Sequence, residues 1–220
     1  MCCRSSAVAS PRDLRSTEVG TRFSVHPGVR MGARMVASLG EKTGRNLEEW
    51  IVLLESSGPA EEKERIAWLK SEYGLGTNYA GVLAEAASGR GRARWDPEVY
   101  LAVVSEYVDA QYAGKNGALR PVYERLVEVG VSLGEDVTLS PTKTFVPLYR
   151  NRVFAQIKPT TLTRVDLGLA LGDTPTDERL LDTGGLAKGD RITRRIALTA
   201  PDEVDAVIER WLVLAYELDE

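Results

Sequence analysis

The sequence is short of the side chains that most hydrolytic and metal chemistry requires. Among 220 residues there is one histidine, His26, and there are two cysteines, the adjacent pair Cys2 and Cys3. With His26 alone, Ser-His-Asp and Cys-His nucleophile pairs are unsupported, and so are zinc sites built from histidine. Two neighbouring cysteines can neither form an unstrained bridge nor supply a four-thiolate site. No apolar run approaches eighteen residues, so no membrane span is expected. The one glycine-rich candidate for a phosphate loop, Gly184-Gly185-Leu186-Ala187-Lys188-Gly189, lacks the GxxxxGK[ST] spacing and reads as a flexible hairpin connection. No metal and no cofactor is implied.

What is present is ordinary for a folded chain. Hydrophobic residues make up 43% and charged residues 27%, which excludes a wholly disordered protein. Residues 1–35 carry six arginines against Asp13 and Glu18 and have no apolar period, so they read as a disordered tail. Met-Cys-Cys is weak as an acylation signal, and Ala7-Val8-Ala9 is too short for the core of a signal peptide. A cytoplasmic, non-secreted protein is therefore expected, with Met31 and Met35 standing just before the patterned chain.

From Val36 a helical period sets in. Asn46 and Glu49 have capping-box spacing, and Leu47, Trp50, Ile51 and Leu54 follow as one apolar stripe. Pro59 restarts the chain into a second helix lined by Ile66, Leu69 and Tyr73 and stopped at Gly74. A third begins near Thr77, with Tyr79, Val82, Leu83 and Ala86 inward. The expected organisation is a small helical domain over 36–88, a linker over 89–95 and a second domain over 96–220. Asp96-Pro97 opens a helix striped by Tyr100, Val103, Val104, Tyr107 and Val108, and another helix spans Leu119 to Leu133. Beyond Gly134 the period falls to two. Strands are expected at Val137–Ser140, Lys143–Arg150, Arg152–Lys158, Arg164–Ala170 and Arg191–Leu198, with a hairpin at Asn151 and a long irregular loop over 171–190. A helix from Pro201, striped by Val204, Ile208, Trp211, Leu212 and Ala215, closes an α+β fold with an antiparallel sheet.

Two stretches resemble known families. Glu41-Lys42-Thr43-Gly44, Trp50, Ala67-Trp68-Leu69-Lys70 and Tyr73-Gly74-Leu75-Gly76 are similar to domain of unknown function 4287. Residues 119–218 resemble domain of unknown function 5655, through Leu119-Arg120-Pro121-Val122-Tyr123, Phe154-Ala155-Gln156-Ile157-Lys158-Pro159, Asp166-Leu167-Gly168-Leu169 and the run from Leu198 to Asp205. Neither resemblance implies an activity. The second implies association with nucleic acid or defence only because that family accompanies nuclease-like and restriction-type modules.

Three surfaces remain as candidates. Gly74, Gly76 and Thr77 have the spacing of a turn that presents helix amides to a phosphate, with Ala80 allowing close helix packing; a simple capping turn is the plainer reading. Between Lys143 and Arg164 there are five basic residues and no acidic one. Strand alternation places Val153, Ala155 and Ile157 toward the core and leaves Phe154, Gln156 and Lys158 opposite, where Arg164 and Asp166 share the polar side and Arg191, Arg194 and Arg195 extend it. Lys143, Tyr149, Arg150, Gln156, Lys158, Arg164, Asp166 and Arg194 are thus expected to form a basic sheet face for nucleic acid or another polyanion. A small anionic ligand or an acidic protein partner would suit the same face, and a solvated sheet with Lys158 paired to Asp166 is the plainer alternative. A third reading takes Gln156 and Lys158 with Asp136 and Asp166 as the remnant of a metal-dependent nuclease, although glutamine removes one carboxylate from such a site.

Overall fold

The computed structural model describes residues 22–174 and 177–220, and these divide into two compact units, 25–103 and 22–24 with the described residues from 104 to 220. Cys2 and Cys3 lie outside the described residues. Among those described, no helix is long and apolar enough to cross a membrane.

The first unit is helical. It begins earlier than periodicity implies: α1 spans Pro27–Ala37, inside the stretch expected to be a disordered tail. His26 caps it, its Nδ1 accepting from Gly28 N–H at 3.0 Å, and Pro27 occupies the first turn, where its missing N–H costs nothing. These are one-residue start signals, and the helix behind them is amphipathic, turning Val29 and Gly32 inward. The short α2 (Leu39–Thr43) leads to α3 (Leu47–Ser57), whose Asn46–Glu49 capping box forms as expected. Next come α4 (Glu62–Tyr73), stopped by Gly74 at φ +63°, and α5 (Thr77–Ala86). Leu39, Trp50, Leu54, Leu69, Ala80 and Leu83 make the core. Ala80, Val82, Leu83 and Ala84 are the buried positions of α5, so Val82 and Leu83 face inward as expected, whereas Tyr79 and Ala86 are only partly covered. The segment 89–95, read from composition as a linker, contains a 3₁₀ turn at Arg92–Arg94, and Trp95 behind it is buried.

The second unit is α+β. Its helices are α6 (Pro97–Gln111), within which the division between the units falls, and α7 (Arg120–Ser132). Strands β1 (Thr138–Leu139), β2 (Val146–Tyr149), β3 (Val153–Thr161), β4 (Arg164–Leu169), β5 (Leu181–Asp182) and β6 (Arg194–Leu198) form one sheet in the order β1-β2-β3-β4-β6-β5, every neighbouring pair antiparallel. The loop over 171–190 is less irregular than its Gly, Asp and Thr content suggests. It supplies edge strand β5 and the four-residue α8 (Gly185–Lys188), the segment read as a flexible hairpin connection. Last comes α9 (Ala206–Glu217), which starts after a 3₁₀ turn at Pro201–Glu203 with Asp205 as its cap.

One face of this sheet carries Val146, Leu148, Ala155, Ile157, Val165, Leu167, Leu169, Ile196 and Leu198, all buried in one cluster with Leu126 and Val127 of α7 and Ile208, Leu212 and Ala215 of α9. The register sets Leu167 between Ile157 and Ile196, so alternate residues of each strand fall on the opposite face, which positions the candidate site.

Burial lowers the pKa of His26 below its ordinary 6.5. The cap needs an unprotonated Nδ1, so its contribution is present above pH 6.5 and is lost as the pH falls through the lower folded value. An NMR titration of this single imidazole should give a midpoint below 6.5, and His26→Ala should remove the corresponding pH dependence of unfolding. A midpoint at or above the ordinary value would contradict the capped, half-buried ring.

Candidate polar sheet face

The basic run from Lys143 to Arg164 does not stay together. Arg150 and Arg152 flank Asn151 at the β2–β3 hairpin, whereas Lys158 lies six residues along β3 from Arg152, roughly 20 Å away at strand rise. Lys143 is exposed in the turn from Thr142 to Phe145 that precedes β2, at the Lys158 end of the sheet.

At the hairpin end the cations are matched by acids that are distant in sequence. Arg150 Nε meets Asp136 Oδ2 at 2.9 Å, and its guanidinium lies 4.3 Å from the centre of the Tyr216 ring. Arg152 and Arg191 both pair with Asp219, whose side chain is 0% exposed, at 3.4 and 2.7 Å. The Asp219 carboxylate also accepts from the Arg152 backbone N–H at 2.8 Å, and its carbonyl accepts from Asn151 Nδ2 at 2.8 Å. The C-terminal turn is thereby fastened to the hairpin. Tyr149, ending β2, is half-buried, and burial raises the pKa of its hydroxyl.

The other end of the sheet keeps a cluster. Gln156, Lys158, Asp166, Gly168, Arg195 and Ala197 share the face opposite the core through their cross-strand register, and Arg164 alternates onto it. At its centre is Asp166, 13% exposed, with Arg164 Nε at 2.9 Å and Arg195 Nη1 at 3.4 Å. A register shift lies between Pro159 and Thr161, and Thr160 there donates to Asp166 Oδ2 at 2.9 Å. Lys158 is the cross-strand neighbour of Asp166 but is not its ion-pair partner: the arginines occupy the carboxylate, and the exposed ammonium has no ion pair among the described residues. Gln156 lies across Gly168, where a Cβ would come within 2.8 Å of its Cγ and 2.7 Å of Ile192 Cγ2. A glycine there lets both side chains cross the strand.

Arg194 is not part of this face. It pairs in register with Leu169 and points with Ile196 and Leu198 toward the core, 7% exposed, with Nη1 donating to the Thr193 carbonyl and 3.5 Å from Asp182. Its neighbour Arg195 takes the place expected of it. Alternation distinguishes the two: Arg194 stands two and four residues from Ile196 and Leu198 and shares their inward face, so Arg195 falls opposite. Phe154 likewise leaves the polar face: it is fully buried and meets Tyr216 edge-on, ring centres 5.8 Å apart.

The remaining candidates behave differently. Gly74 adopts the left-handed stop and Gly76 precedes the first turn of α5, which begins at exposed Thr77 and has no side-chain cap. A Cβ at Gly76 would meet nothing within 4 Å, so packing does not require that glycine. The two carboxylates invoked for metal-dependent cleavage are not brought together as a site. Asp136 is engaged by Arg150 and by the Tyr216 hydroxyl at 2.9 Å, and Asp166 by its arginines. Among the described residues no three His, Cys, Asp or Glu side chains are grouped to hold a metal ion. Two clefts of about 490 and 450 Å³ are lined by the outer side of α9 and by residues from the 170–174 and 186–193 segments with Leu218, not by the Asp166 cluster.

Family models match both parts of the chain: the domain of unknown function DUF5655 over residues 108–219, and the domain of unknown function DUF4287 over residues 32–89. No curated protein and no solved structure matches.

Breaking a buried carboxylate out of two arginine pairs costs about 3 kcal/mol when it leaves the partners unmatched. Asp219→Ala should therefore lower unfolding free energy by roughly 2–3 kcal/mol in urea titrations, the cations being partly able to regain water. Arg152→Ala alone should cost less, because Arg191 still neutralises the acid. Arg150, followed by the Tyr216 hydroxyl, holds the Asp136 carboxyl below its ordinary 3.8. Its contribution is complete above that value and disappears as the pH falls through the lower folded one, so Asp136→Asn should flatten the acid limb of the stability profile.

Proposed function

We propose that this chain, which belongs to the domain of unknown function 5655 family, is a non-secreted, cytoplasmic accessory protein that binds nucleic acid through phosphate contacts on the polar sheet face. The observation that carries this reading is the charge at one point: Lys158, Arg164 and Arg195 surround the single carboxylate of Asp166, and Lys158 has no counter-ion among the described residues. A carboxylate between two guanidiniums holds both in place while leaving other N–H groups for an anion, which suits phosphate oxygens in a fixed geometry. Gln156 and Thr160 add neutral hydrogen-bonding groups beside the cations. The relevant surface is smaller than the run of basic residues in sequence: Lys143 contributes only by proximity, and Arg150, Arg152 and Arg194 are engaged elsewhere. The helical part is read as an accessory module, with the Gly74–Thr77 turn as a secondary phosphate contact at most.

The test is a salt-titrated binding assay on the full chain with single-stranded and duplex DNA and RNA. Two to three phosphate contacts give a slope of about −2 for log affinity against log salt, so a fourfold rise in salt should weaken binding by roughly fifteenfold. Lys158→Ala/Arg164→Ala should reduce affinity to a similar extent at constant salt, and Asp166→Asn should leave or raise it. Salt-insensitive binding, or an unchanged double variant, would remove the proposed surface.

A further inference from the structure

The described chain opens with three residues that have no place in the helical unit next to them. Arg22, Phe23 and Ser24 instead lie along β1, the edge strand of the second unit, more than a hundred residues away in sequence. The contact is a parallel bridge between Phe23 and Leu139: Leu139 N–H donates to the Arg22 carbonyl at 3.0 Å, and Ser24 N–H donates to the Leu139 carbonyl at 2.8 Å.

Each of the three side chains has its own receptor. Arg22 Nη1 donates to the carbonyls of Val131 and Gly134 at 2.6 and 3.0 Å, at and just beyond the C-terminal end of α7. The Val131 carbonyl stands at the negative end of the helix dipole, and the Gly134 carbonyl, which also accepts from Val137 N–H at 3.3 Å, lies just beyond it, so the position favours a cation with several donors. Phe23 packs against the main hydrophobic cluster. Ser24 Oγ lies 3.0 Å from Thr138 Oγ1 and 2.9 Å from Ser140 Oγ, and Ser140 is itself almost completely buried. A backbone edge flanked by a cation socket, an apolar seat and a hydroxyl pair is the anatomy of strand-addition recognition, in which the ladder supplies affinity and the side-chain seats supply specificity.

We propose that the β1 edge and the C-terminal end of α7 form a peptide-docking site for an extended arginine–aromatic–serine segment of a partner protein, and that residues 22–24 occupy it in cis. The site is independent of the Asp166 cluster. Among the described residues the resident segment makes two ladder hydrogen bonds, and as part of the same chain it has the effective concentration of a tethered ligand over a partner. Displacing it uncovers an edge that sheet proteins otherwise keep protected.

A fluorescent peptide of residues 19–27 serves as the probe, titrated against the full wild-type chain and the full-length Arg22→Ala/Phe23→Ala variant, whose fold is checked by circular dichroism and thermal melting. The folded variant should bind the peptide at least tenfold more tightly than wild type, and a peptide with aspartate for phenylalanine should bind neither. Equal binding to both chains, or none to the folded variant, would overturn the proposal. Should the variant not fold, a spin-labelled peptide in millimolar excess over wild type should broaden amide signals selectively at residues 131–140, and absent or evenly spread broadening would overturn it. Concentration-dependent wild-type dimers, abolished by the same two substitutions, would reassign the site to exchange between copies of this chain.

Discussion

The second unit depends on a single buried carboxylate. Asp219, one residue from the end of the chain, takes two arginines, a backbone N–H of the β2–β3 hairpin and, through its carbonyl, the Asn151 amide. A carboxylate removed from water is tolerable only when its lone pairs are filled, and here they are filled by groups from two separate parts of the chain, the hairpin residue Arg152 and Arg191. The consequence is geometric. Arg191 also donates to the Val153 carbonyl at 3.0 Å, so the end of α9, the start of β3 and the approach to β6 are tied at one place. Two cations that would otherwise extend the polar face are held at the hairpin.

That tie explains why a run of five basic residues without an acid does not become a basic surface. Coulomb attraction acts through space, and the acids that answer Arg150 and Arg152 come from positions 136 and 219, on either side of the run. Within the run only Lys143 and Lys158 keep no ion pair among the described residues, and Arg164 shares Asp166 with Arg195 from another strand. A segment's charge is a property of the sequence, whereas a surface's charge is a property of the register and the packing. The polar face that survives is compact, with one acid at its centre, and its Gln156 is laid flat by the absence of a side chain at Gly168.

Much of the architecture is legible from local rules, because those rules operate within a few residues. Asn46–Glu49 closes its box, Gly74 stops its helix, Asp96 caps α6 by accepting from the Glu98 and Val99 N–H groups, and the fall from a period of 3.6 to one of two marks the sheet. Misreadings concentrate where a residue's fate depends on something far away. Residues 22–37 carry too few large apolar residues to read as patterned chain, yet α1 forms as an amphipathic helix on a histidine cap and an N-terminal proline, and Arg22–Ser24 are ordered by an edge strand that appears only after residue 137. Phe154, which alternation alone assigns to the open face, is buried in the main cluster and meets Tyr216 of α9 edge-on.

The sequence by itself determined the class of the fold, the helical-then-sheet order, the inward face of β3 and β4, and the poverty of nucleophile–base and metal chemistry. Those follow from periodicity and composition, which are local or additive quantities. Only the tertiary structure decided that Arg150 and Arg152 are answered by Asp136 and Asp219, that Lys158 has no ion pair among the described residues while Asp166 pairs with two arginines, and that the first described residues complete the edge of the last domain. Each of those is a competition between partners distant in sequence, and such a competition is settled by distance in space, which no linear pattern encodes.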